Sequence, residues 1–116
     1  MFEVRDVIRL WDRHTNPEKP KIHICVCPER QRFLRINTKP IFRPHHKLLK
    51  KDNPFLDHDS YVSLISMVRH MAYEIGRAQL KGHLSEEQAR LLCASARAAK
   101  TLSDEDKDFI CGKLCP

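Results

Sequence analysis

An α+β fold, with strands first and helices last, is predicted for this chain by three observations. Ile22, Ile24 and Val26 alternate with His23, Cys25 and Cys27, the period-two pattern of a strand with two different faces. Prolines 17, 20, 28, 40, 44 and 54 keep the chain before residue 57 from forming any long helix. Helix-start chemistry appears late, at Ser85 and again at Ser103.

Residues 2–11 place apolar side chains at 2, 4, 7, 8, 10 and 11, which suits a strand or a short helix. Their β-branched content and the turn chemistry that follows favour a strand. Asp12–Pro20 is expected to be a polar loop with two prolines. Lys21–Thr38 reads as a β-hairpin: Pro28 stops the first run, a polar tetrapeptide follows, and Phe33, Leu34 and Ile36 begin the second. Lys39–Asp57, interrupted by Pro40, Pro44 and Pro54, is expected to be a long basic loop. Asp59–Leu80 is ambiguous: Tyr61, Val62, Leu64, Ile65, Val68, Ala72 and Ile75 fall near helical spacing, yet Ser60–Ile65 also passes as a strand.

The C-terminal part reads more simply. Ser85 with Gln88 three residues on forms a capping-box pattern. Ala89, Leu91, Leu92, Ala96 and Ala99 supply the apolar side of a helix reaching about Lys100. Ser103 caps a second helix whose acids at 104–106 suit its positive end, with Phe109, Ile110 and Leu114 turned inward. A single domain is expected, β-rich over about 4–80 and helical over about 84–115.

The 116 residues are 41% hydrophobic and 31% charged, and no stretch approaches the roughly 18 apolar residues that span a bilayer. The first residues carry both charge signs and no apolar signal core, so a cytoplasmic protein is expected. Five cysteines, an odd count, argue for reduced thiols rather than a disulfide framework. The net charge of +6 gathers around residues 30–51, a field that draws polyanions, nucleic acid above all.

Two stretches resemble the PemK-like (MazF-like) toxins of bacterial toxin–antitoxin modules. Asp6-Val7-Ile8, a polar loop, then Lys-Pro-Lys-Ile-His-Ile-Cys-Val is similar to that family's opening strand, variable loop and basic-led second strand. Asp59-Ser60-Tyr61-Val62-Ser63-Leu64 followed by Met67-Val68-Arg69 resembles its Asp-Ser-hydrophobic strand, and Arg35-Ile36-Asn37-Thr38 its threonine-ended strand. The resemblance implies a small, curved, antiparallel SH3-like β-barrel with C-terminal helices, usually dimeric. It makes Ser60–Leu64 a strand and leaves 65–81 open.

It also implies an endoribonuclease that cleaves single-stranded RNA without a metal or other cofactor, an antitoxin protein as partner, and no membrane association. That reaction needs a base at the 2′-hydroxyl, a cation for the phosphate and an acid for the leaving oxygen. Lys21 and Thr38 occupy the positions nearest the phosphate, with Lys19 an alternative to the first, and His23 beside Lys21 is a third catalytic candidate. Lys19, Arg35, Lys39, Arg43, Arg69 and His70 are the candidate RNA contacts. Lysine stands where the family usually has arginine, a point charge in place of a two-point phosphate clamp. The alternative is therefore a non-catalytic basic module that binds nucleic acid or a protein. His23, Cys25 and Cys27 share a strand face, but neighbours about 7 Å apart put at most two on one ion, so no metal is expected.

Overall fold

The computed structural model describes residues 1–40 and 43–116. In chain order it contains β1 (Asp6–Asp12), β2 (Lys19–Cys27), β3 (Arg32–Asn37), β4 (His45–Leu48), a 3₁₀ turn (Lys50–Asp52), β5 (Ser60–Ser63), β6 (Val68–Arg69), α1 (Ala72–Gly76), β7 (Gln79–His83), α2 (Glu86–Ala98) and α3 (Asp104–Leu114). The strands form one antiparallel sheet in the order β4-β5-β3-β2-β1-β7, with β6 beside β3. Among the described residues β4 and β7, at the two ends, do not pair with each other, so the sheet is open.

Alternation in the central strands feeds two apolar clusters. Val7, Ile24, Val26, Leu34 and Ile36 join Ala89, Leu92, Ala96, Ile110 and Leu114 in the larger core, which ties the sheet to α2 and α3. Ile8, Leu10, Cys25 and Phe33 form the smaller one, covered by Phe2, Val68, Ile75 and Ala78. Both faces of β2 are thus buried. The register opposes His23 to Ile8 on one side and to Arg35 on the other.

The hairpin stands where the sequence puts it, closed by a turn in which the Gln31 amide donates to the Pro28 carbonyl at 3.2 Å. The two C-terminal helices start as their caps predict: Ser85 Oγ accepts from the Gln88 amide and Ser103 Oγ from the Asp106 amide, each at 3.1 Å. All five cysteines are free thiols.

Several expectations are corrected. The loop after β1 ends earlier, because Lys19 and Pro20 already pair with Asp12 and Trp11. The expected loop 39–57 contains β4, four residues between Pro44 and the 3₁₀ turn that pair with β5; residues 41 and 42 of that loop lie outside the described residues. Helical spacing across 59–80 does not give one helix. Its apolar residues serve two cores, Val62 and Leu64 the larger and Val68, Ile75 and Ala78 the smaller, so the chain divides into β5, β6, α1 and β7. Leu91 points outward at 50% exposure, and Cys93 takes the inward place beside Leu92. Among the described residues no helix is long and apolar enough to cross a membrane.

Candidate functional site: a basic groove and a buried histidine cluster

The ends of β2 and β3 open onto a groove of about 310 Å³ lined by Arg9, Lys19, Lys21, Thr38, His58 and Lys81, among others. Its floor is apolar, from Ile22, Ile36 and Leu56. Asp57 is the carboxylate in the lining, and among the described residues none of the four Lys and Arg side chains forms an ion pair. A cavity so lined concentrates anions.

Lys21 donates from Nζ to the Asn37 side-chain carbonyl. Burial pushes its pKa down, and the neighbouring charges of Arg35 and Lys19 push it further the same way. His58 Nδ1 lies 3.0 Å from the Asp59 carbonyl, an acceptor, so Nδ1 carries the hydrogen and Nε2 of the neutral ring is left as a proton acceptor. Ser60 Oγ donates to the His58 carbonyl at 3.0 Å, fixing the start of β5 beneath that ring.

Of the residues singled out from the sequence, Lys19, Lys21 and Thr38 meet in this groove. The others do not. Arg35 is held in an ion pair, its Nε 2.7 Å from Asp12 Oδ2 and its side chain 19% exposed. His23 and His70 are both fully buried, so neither presents its ring to a groove. Arg69 is exposed on β6 and reaches Gln31 Oε1 at 3.4 Å. Arg43 lines a separate shallow depression with Pro44, His45, Ala98 and Lys100, and Lys39 is exposed just beyond β3. Arg9, Lys81 and His58 are groove residues that the sequence reading did not single out. Arg9 sits in an apolar strand and Lys81 in the segment left open, and only the β1–β7 pairing brings them together.

Deeper in the molecule a second polar group lies beside the smaller core. Asp12 is completely buried at the end of β1. Its carboxylate accepts from the Arg35 guanidinium, and from the His14 amide at 2.9 Å, and lies 3.3 Å from His23 Nε2. Burial alone would raise the Asp12 carboxyl, but the hydrogen bonds from His23, Arg35 and the His14 amide overturn that and hold it well below the usual carboxylate range. His23 Nδ1 faces the Lys21 carbonyl at 3.1 Å while Nε2 faces both Asp12 and His70 Nε2, the latter at 3.2 Å. Either neutral tautomer therefore leaves one nitrogen of His23 against an acceptor, and burial opposes the doubly protonated ring. His70 is pushed down to about 4 by burial and then by its neighbour His23. Its Nδ1 has no hydrogen-bond partner, with Glu74 Oε2 at 3.8 Å. Glu74 in turn pairs with Arg13 and accepts from the Met71 amide.

A scan against models of known protein families gave no match, and neither did a search of curated proteins.

Proposed function

We propose that the protein is a PemK-like endoribonuclease that cleaves single-stranded RNA in the groove between the ends of β2, β3 and β5. The observation that carries this reading is the set of four cations, Arg9, Lys19, Lys21 and Lys81, without ion-pair partners among the described residues, around one cavity that also holds Thr38 and His58. The open antiparallel sheet is taken as a variant of the family's curved SH3-like barrel. The protein would work in the cytoplasm, as a homodimer, under an antitoxin protein. Exposed Trp11, Tyr73 and Leu80, at 52%, 62% and 60%, offer apolar surface to such partners.

In this reading the 2′-hydroxyl of the RNA gives its proton to a base and its oxygen bonds to the adjacent phosphorus. The bond from phosphorus to the 5′-oxygen breaks, and that oxygen takes a proton, leaving a cyclic phosphate and a free 5′-hydroxyl. His58 Nε2, bare in the neutral ring, is the group able to take the first proton, and the Lys21 ammonium, whose proton is held less tightly than usual, can give one to the leaving 5′-oxygen. Arg9, Lys19 and Lys81 stabilise charge on the phosphate, and the Thr38 hydroxyl donates to one of its oxygens.

The second reading is a non-catalytic RNA-binding module, favoured by the Lys21 amine being already engaged with Asn37. Labelled single-stranded RNA incubated with the purified protein in EDTA separates the two. Cleavage that drops at least a hundredfold in Lys21→Ala, in Thr38→Ala and in His58→Ala supports the enzyme. Salt-sensitive binding with intact RNA supports the module, and no binding at low salt defeats both.

A further inference from the structure

We propose that Asp12, His14 and His70 form a binding site for one divalent transition-metal ion, zinc in the first instance. A carboxylate oxygen of Asp12 and one ring nitrogen from each histidine lie within 4.8 Å of one another. Tetrahedral zinc with bonds of about 2.0 Å needs ligands roughly 3.3 Å apart, so closure from separations within 4.8 Å asks for a movement of up to about 1.5 Å. Exposed His14, on the loop after β1, can make that movement. Two histidines and a carboxylate are a common ligand set for zinc and for other first-row ions.

The hydrogen-bond roles in the cluster supply the independent argument. His14 Nε2 lies 3.3 Å from the Arg69 carbonyl, which can only accept, so that nitrogen carries the hydrogen and Nδ1 of the neutral ring is bare. A backbone carbonyl holding the far nitrogen is the usual support of a metal-bound histidine. His70 is completely buried, and among the described residues its Nδ1 has no hydrogen-bond partner, the Glu74 carboxylate standing off at 3.8 Å. A buried imidazole nitrogen in that state costs free energy that a bound cation recovers.

The site joins the loop after β1 to the segment between β6 and α1, beside the Arg13–Glu74 ion pair, the His14–Arg69 contact and the tilted His14–His70 ring pair. Arg35 already shares the Asp12 carboxylate, which keeps affinity below that of an unshared three-ligand site. None of the three residues lines the basic groove, so the proposal stands apart from the RNA reading.

Cobalt(II) is the probe that tells this site from the free thiols. Titrated into the whole reduced protein, it should saturate at one ion per chain, give weak visible bands without the strong near-ultraviolet absorption of cobalt–thiolate bonds, and be displaced by zinc. His14→Ala, chosen because His14 is exposed and its loss spares the core, should weaken zinc binding at least tenfold and abolish the rise in melting temperature that zinc gives the parent protein. Thiolate-type absorption, no stoichiometric uptake, or equal zinc affinity in His14→Ala would each overturn the proposal.

Discussion

Asp12 is a buried carboxylate on which three separate groups depend, the Arg35 guanidinium, the His14 amide and the His23 ring. Its carboxylate balances Arg35 inside the protein and receives the His14 amide, so neutralising it strands a mostly buried guanidinium. Breaking such a pair from one side costs about 3 kcal/mol or more, and Asp12→Asn should show a loss of that order in urea unfolding at pH 7. The pH dependence follows from the same carboxylate. Its folded pKa lies below the unfolded one, so its contribution is complete above about pH 4 and is lost as the pH falls below that value. His46 acts in a higher window. Burial lowers its pKa while Nδ1 contacts Ser95 Oγ at 2.6 Å, so the unfolded chain takes up a proton first as the pH falls through 6.5. Stability is therefore full above that pH and declines below it. His46→Gln should remove part of the decline between pH 7.5 and 5.5 measured in EDTA, with the rest left to His23 and His70, which shift the same way.

Among the elements, the hairpin and the two C-terminal helices were legible in the sequence because their signals are local. Alternation along 22–26, the stop at Pro28 and the caps at Ser85 and Ser103 each act within a few residues of where they are written. Ser85→Ala and Ser103→Ala should each cost about 1 kcal/mol, read as a shift in urea midpoint at unchanged slope. The stretch 65–81 was not legible, since Val68, Ile75 and Ala78 face a core made by Ile8, Leu10, Cys25 and Phe33 that no local pattern announces, while Tyr73 and Leu80 stay exposed. Gly82 in β7 is similar, an ordinary-looking glycine until its neighbour is known. A Cβ there would stand 2.6 Å from Phe55 Cβ, an atom fixed by its own backbone that no side-chain rotation can withdraw. Gly82→Ala should therefore destabilise by roughly 1–3 kcal/mol, with the effect relieved in a double variant carrying Phe55→Gly.

For the molecule as a whole, the net charge of +6 raised the expectation of a polyanion partner without pointing to any place for one. The charge run at 30–51 is dispersed in the fold: Arg35 is consumed by Asp12, Arg43 lies in a separate depression, and the groove draws Arg9, Lys19, Lys21 and Lys81 from outside that run. Lys21 and Thr38 were named from the sequence through the family resemblance, and the β2–β3 hairpin is what brings the two to one groove. The buried Asp12–His23–His70 group could not be named, because it joins positions from three separated segments through the sheet register. The proposed function has this groove take the phosphates of single-stranded RNA. Its most direct test is the affinity for a fluorescent single-stranded RNA measured across a series of salt concentrations, for the parent protein and for Lys81→Ala. If four cations each meet a phosphate, log affinity should fall against log salt with a slope near −3, and Lys81→Ala should reduce that slope by about 0.7. A slope near zero, or one that Lys81→Ala leaves unchanged, would contradict the account.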